Sequence, residues 1–389
     1  MPSDPRSLLN EQLRGRKVKK LYRRRLTLET PQSTRVSVAG REYLAFCSND
    51  YLALANHPGL IEAACEGAMR YGVGAGASHL ISGHSSAHHE LEDALARFVG
   101  FPRALLFSTG YMANAGVVTA LAGRTDAIFA DKLNHASLND AALASRAKFL
   151  RYPHLDLPVL ERQLTASQAR RKLVITDAVF SMDGDIAPVA SLLALCDKYD
   201  AWLVLDDAHG FGVLGGQGRG TLAHFNIRSQ RIIYMATLGK AAGVFGAFVA
   251  ASADVVETLI QEARSYIYTT AAPPLLSHVL LKSLDLIKSE AWRRQKLTQH
   301  TIALKQELQS LRWKLLPSET PVQPLIIGEN DKALRISEAL RQQGILVPAI
   351  RPPTVRQGTA RLRISLSAAH TAEDIIRLGS ALRGLGSVP

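Results

Sequence analysis

Cysteine is scarce in this chain, with three in 389 residues, at positions 47, 65 and 196. An odd, widely spaced trio builds neither a disulfide framework nor a zinc site, so a reducing, cytoplasmic compartment is expected. Long apolar runs are missing too. The best candidate, about 241–256, is short and broken by Gly243, Gly246 and Asp254, so no membrane span is expected. The opening MPSDPRSLLNEQ lacks the apolar stretch of a secretion signal. Repeats and low-complexity tracts are absent, and 47% hydrophobic against 21% charged residues argues for a folded chain.

Acidic residues are outnumbered, 34 against 46 basic ones, for a net charge of +12. The excess crowds one segment holding Arg14, Arg16, Lys17, Lys19, Lys20, Arg23, Arg24 and Arg25. No nucleic-acid-binding motif accompanies it, so no nucleic-acid partner is expected. A solvated helix face explains most of these charges. The sharper alternative is that they steer an anionic ligand.

After this helix, residues 35–46 read as a hairpin turning at Ala39-Gly40. From Asn56 to about Ser265, apolar strands alternate with helical patterns. Strands are expected over 104–107, 126–130, 173–180, 202–206, 232–238 and 246–250, with helices such as 111–121 and 188–198 between them. That alternation predicts right-handed crossovers and an α/β fold with a mostly parallel sheet covered on both faces. Ala272-Pro273-Pro274 interrupts it, and one long helix is expected from about Leu275 to Leu311. Strands near 322–327, 346–350 and 361–366, with helices over 332–343 and 372–382, complete a smaller α+β unit. The expected organisation is an N-terminal helix and hairpin over 1–55, a large domain over 56–285 and a small domain over 286–389, joined by the N-terminal segment.

In such a sheet, ligands gather beyond the carboxyl ends of the strands. Polar residues sit at several of those ends: Ser108-Thr109-Gly110, Ser181, Asp206-Asp207-Ala208-His209 and Thr237-Leu238-Gly239-Lys240. Singly, each has a commoner explanation. A lysine past a strand is usually a solvated charge, an aspartate there is usually a cap or turn, and a lone histidine is usually structural. The set as a whole matches what pyridoxal phosphate requires. Lys240 offers the amine that bonds to an aldehyde. Asp206 offers a carboxylate for a protonated pyridine nitrogen. Gly110, Tyr111 and Thr237 offer a helix start and a hydroxyl for phosphate.

Other motifs fail. Gly72-x-Gly74-x-Gly76 follows a helical stretch and misplaces its third glycine, so it is no dinucleotide fingerprint. Gly239-Lys240 lacks the earlier glycine of a P-loop. The histidines at 79, 84, 88 and 89 lack the helical zinc spacing, so no metal is expected.

With these residues placed, the chain resembles the α-oxoamine synthases, fold-type I pyridoxal-phosphate enzymes that condense an amino acid with an acyl thioester and lose carbon dioxide. The resemblance rests on SNDYLAL, DKLNHASL, ITDAVFSMDGD, LVLDDAHGFGVLG, TLGKAAG and IRPPTV followed by GTARLRISLSAAH. It runs from Ser48 to the C-terminus and more loosely through the N-terminal helix. The SNDYL and IRPPTV…GTARLR segments are most similar to the biotin-pathway member, which uses L-alanine and a pimeloyl thioester of coenzyme A or acyl carrier protein.

The resemblance implies roles residue by residue. Lys240 holds the cofactor and Asp206 partners its ring nitrogen. His135 stacks on the ring, while Ser181 and His209 bond its phenolic oxygen. Gly110, Tyr111 and Thr237 serve the phosphate. Arg363 clamps the amino-acid carboxylate, and Asn49, Arg23, Thr354 and Arg351 meet substrate. A homodimer is implied, with Thr270 reaching the phosphate of the other subunit. Lys240, His135, Asp206 and His209 would carry the chemistry.

The chain departs from the family pattern at Gly74-Ala75-Gly76-Ala77-Ser78-His79, at His84 and at Phe211. The resemblance implies that the glycine-rich stretch belongs to the acyl site and that none of these departures removes a cofactor contact, so they bear on the shape of the acyl pocket and the thioester chosen. The rival readings are another acyl specificity in the family, an aminotransferase, or a non-catalytic regulator with an aminotransferase-like domain. The last would need a DNA-binding domain that no stretch of the chain is left to form.

Overall fold

The computed structural model describes residues 4–386. Two compact units divide the chain. One comprises Asn49–Ser181 and Asp185–Lys296; the other comprises Met1–Ser48, Met182–Gly184 and Leu297–Pro389.

The first unit is built on a seven-stranded sheet ordered Arg103–Phe107, Ala247–Ala251, Ile232–Thr237, Trp202–Asp206, Lys172–Asp177, Ala127–Asp131 and Lys148–Tyr152. All neighbours are parallel except Ala247–Ala251, which runs against both of its partners. The central strands read as unbroken apolar runs because both faces are covered; Leu203, Val204 and Leu205 are fully buried. The edge strand Lys148–Tyr152 was not expected. Its KFLRY sequence alternates poorly, and only Tyr152 is buried.

The expected long helix is two, Pro274–Ser289 and Ala291–Leu308. Pro274 suits a first helical turn, where its missing N–H costs nothing. The break falls at Glu290, whose backbone is non-helical. Its carboxylate accepts from Arg293 Nε at 2.5 Å, while Arg293 Nη1 donates to the Leu52 carbonyl at 2.8 Å. The contact with Leu52, 241 positions away, is invisible to periodicity.

In the second unit the hairpin Arg35–Val38 and Arg41–Ala45 gains a parallel third strand, Ile345–Leu346. A separate antiparallel sheet is ordered Lys314–Leu315, Val322–Gly328, Ala360–Ser365, Ala349–Ile350. The single strand expected over 346–350 is thus split between two sheets. Pro348 lies at the split, and a residue without an N–H cannot continue a ladder. Among the described residues no helix is long and apolar enough to cross a membrane.

Candidate active site

The carboxyl ends of the central strands enclose a cavity of about 200 Å³, lined by Gly110, Tyr111, His135, Ser181, Asp206, His209, Thr237 and Lys240 among others. Every residue that the sequence reading gave to the cofactor lines it, except Thr270, which is exposed elsewhere in the same unit.

Lys240 Nζ stands 2.8 Å from His209 Nε2. The other ring nitrogen, Nδ1, is 2.6 Å from the hydroxyl of Tyr51, a fully buried residue. Tyr51 is also 3.2 Å from the Asn49 side-chain oxygen. Asp206 ends its strand almost buried, accepting from the Ala208 N–H at 3.0 Å and from Asn114 Nδ2 at 2.8 Å. The same Asn114 nitrogen reaches Ser137 Oγ at 2.9 Å, and Ser137 Oγ lies 2.8 Å from His135 Nδ1. Asp177 accepts from the His135 backbone N–H at 3.1 Å.

The electrostatics follow from this crowding. Burial, and then the nearby charge of Asp206, hold the Asp177 carboxyl well above the ordinary carboxylate range. Desolvation keeps the His135 ring below its usual range, outweighing the pull of Asp206 in the other direction. Behind the strand end, Asp207 accepts from Thr221 N–H, Thr221 Oγ1 and Tyr234 OH, and burial nevertheless pushes its carboxyl up to about 7. Asp207 is a fastening for the turn that presents Ala208 and His209.

At the opposite wall the helix Gly110–Leu121 begins. Its N-cap Thr109 accepts from Met112 N–H at 3.1 Å, which leaves the first-turn N–H groups of Gly110 and Tyr111 without an intrahelical acceptor. Thr237, nearby in the cavity wall, donates to the Gly246 carbonyl at 3.0 Å. One cavity thus offers an amine, a buried strand-end carboxylate, an imidazole and a helix start with a hydroxyl. This donor set fits pyridoxal phosphate, which needs a partner for an aldehyde, a ring nitrogen and a phosphate.

Sequence reasoning did not single out Asn114, Ser137 or Asp177, and it quoted Tyr51 only as part of a motif. Asn114 lies mid-helix with no local signal. Asp177 lies at the end of a strand that was read as running on to Phe180.

The remaining substrate candidates belong to the second unit. Arg23 Nη2 donates to Thr354 Oγ1 at 3.2 Å. Arg351 Nη1 donates to the Lys20 carbonyl, and its Nε is buried with no partner among the described residues. Burial, then the charge of Arg23, draw the Arg351 pKa down. Arg351 also lines a cavity of about 560 Å³ together with Lys17, Lys20, Arg24, Arg341 and the apolar Leu26, Leu346 and Val347. Buried Arg363 donates to Ser365 Oγ at 2.8 Å.

The sequence profile of the class I and II aminotransferases matches residues 41–382. A protein of Nitrosospira multiformis described as 8-amino-7-oxononanoate synthase is 74% identical over 375 residues, covering 96% of this chain and 95% of its own length. Among solved structures, a serine palmitoyltransferase variant from S. paucimobilis with a bound PLP–myriocin aldimine superposes with a TM-score of 0.92 at 27% identity, over 98% of each chain. The 8-amino-7-oxononanoate synthase of Francisella tularensis gives 0.78 at 31% identity, over 88% of this chain and 97% of that one.

Proposed function

As the chain belongs to the 8-amino-7-oxononanoate synthases, within the class I and II aminotransferase family, we propose that it joins L-alanine to a pimeloyl thioester with release of carbon dioxide and the thiol, in biotin biosynthesis. The cofactor is pyridoxal phosphate. The single observation that carries this reading is the convergence of Lys240, Asp206, His209 and the Gly110 helix start on one cavity.

When bound, pyridoxal phosphate supplies an aldehyde that bonds to amines and a ring that draws electrons from the amino acid's α-carbon. Lys240 would hold the cofactor through its amine, and the free amine would serve as base for the α-proton. The contact with His209 gives that proton a path, since imidazole can take from one nitrogen and give from the other. Asp206 supports positive charge on the ring nitrogen. His135 would cover the ring, Ser181 and His209 would hold its phenolic oxygen, and Gly110, Tyr111 and Thr237 would hold the phosphate. Arg363 clamps the alanine carboxylate, and Asn49 contacts the same substrate.

Arg351, Arg23 and Thr354 favour an acyl chain that ends in a polar or charged group. A buried guanidinium nitrogen lacking a partner is costly beside a plain alkyl chain and satisfied by a carboxylate. The working form is a homodimer in the cytoplasm, with Thr270 serving the other subunit's phosphate. Purified enzyme offered alanine, glycine and serine against pimeloyl, acetyl, succinyl and palmitoyl thioesters should turn over the alanine–pimeloyl pair fastest. A best pair of glycine and acetyl-CoA would sink the substrate assignment while leaving the family intact.

A further inference from the structure

The histidines that fail a helical zinc pattern are gathered by the fold. His79 opens a one-turn π-helix, His79–Gly83, and His88 lies in the first turn of the helix Ser86–Val99, with His84 in the link between them. One ring nitrogen of each lies within 4.8 Å of one on each of the others. We propose that His79, His84 and His88 form a binding site for a divalent transition metal, with zinc the best-suited ion.

Three observations support this. The Nδ1 atoms of His79 and His84 are 3.1 Å apart. Tetrahedral zinc with bonds of about 2.0–2.1 Å to nitrogen needs neighbouring ligands roughly 3.3 Å apart, so the pair is nearly at the edge length of such a site. Secondly, His88 Nε2 donates to the Ala272 carbonyl at 2.8 Å, which fixes the ring proton there and leaves the lone pair on Nδ1. A ligating histidine characteristically donates its second nitrogen to a carbonyl or carboxylate in this way. His88 Nδ1 now accepts from the Ser85 N–H at 3.0 Å and meets Ser85 Oγ at 2.9 Å, contacts that a metal would displace.

The third observation is the company these rings keep. Burial, and for His79 and His84 also the neighbouring imidazoles, keep all three below the ordinary histidine range, with His79 at about 3. Neutral rings offer lone pairs, the form a metal takes. The helix start opposes a cation here. The Glu92 carboxyl, which burial pushes up to about 7, comes within 3.9 Å of His84 Nε2 and would ionise more readily beside a bound cation. His79 is further held by stacking on Tyr266, with centroids 4.9 Å apart.

Cobalt(II) is the probe, titrated into holoenzyme freed of unbound cofactor. One equivalent should produce the visible d–d bands of a four-coordinate ion, and zinc should abolish them. His84→Gln, at the most open of the three positions, should weaken binding at least about tenfold without loss of fold, and His79→Gln should do the same. His89→Gln should leave binding unchanged. Absence of the bands in wild type would overturn the proposal, as would undiminished binding in His84→Gln, or loss in His89→Gln with retention in His79→Gln.

Discussion

His209 Nε2 and Lys240 Nζ are 2.8 Å apart, and the far side of the same ring is held by Tyr51 at 2.6 Å. A neutral imidazole carries one proton, so what Tyr51 does at Nδ1 decides whether Nε2 faces the amine as donor or acceptor. Tyr51→Phe keeps the buried ring and removes only the hydroxyl. Removing one hydrogen-bond partner from a buried polar group costs about 1–3 kcal/mol. The turnover number should fall by roughly tenfold, at the lower end of that range, with the Michaelis constants little moved. Unchanged kcat across the pH range would show that Tyr51 is only packing.

Asp206 is the second test. Asp206→Asn retains the shape and a hydrogen-bond acceptor facing Asn114 but loses the charge. The visible absorbance of bound cofactor should persist, since the phosphate and amine contacts remain. Turnover should fall by about two to three orders of magnitude, the scale of losing one preorganised electrostatic contact. Near-full activity would remove Asp206 from its role.

What the sequence made legible here was chemistry at strand ends. Lys240, Asp206, His209 and Gly110 could be placed because strand and helix periodicities fix where the carboxyl ends lie, and a polar residue there has few other reasons to recur. Asn114 and Tyr51 could not, because a side chain that bonds a residue 92 or 158 positions away leaves no local trace. The division of 346–350 between two sheets falls at Pro348, a single missing N–H that the β pattern on both sides of it masks. The break at Glu290 is held by Arg293, whose guanidinium also reaches the Leu52 carbonyl 241 positions away, and that second contact leaves no local trace.

His154 should make stability depend on pH. It bridges Asp131 at 3.0 Å and Asp185 at 2.8 Å. Burial works against the charged ring, but the two carboxylates outweigh it and push its pKa up to about 10. With a folded value above the unfolded value of about 6.5, the contribution is complete below pH 6.5 and is lost as the pH rises toward 10. His154→Gln should therefore melt a few degrees below wild type at pH 6, and the gap should narrow steadily up to pH 10. A gap independent of pH would mean that the ion pairs add nothing beyond shape.

The acyl end is the last test, and it turns on Arg23 and Thr354, joined at 3.2 Å, with Arg351 beside them carrying a buried Nε that has no partner among the described residues. Burial, and then the charge of Arg23, draw the Arg351 pKa down, so an anion that joined the two guanidinium groups would relieve both costs. A charge-assisted contact to a carboxylate is worth about 1.5–3 kcal/mol. Arg351→Gln should accordingly raise the Michaelis constant for pimeloyl thioester by at least about tenfold. Alanine should be bound almost as before, because its carboxylate is assigned to Arg363. Arg23→Ala should have the same selective effect, and Thr354→Val a weaker one, since it removes the hydroxyl that orients Arg23 and no charge. The discriminating measurement is the ratio of kcat/KM for pimeloyl and acetyl thioesters in each variant. That ratio should collapse toward unity in the arginine variants, and if it holds while both rates fall together, these residues support the fold of their unit and do not choose the substrate.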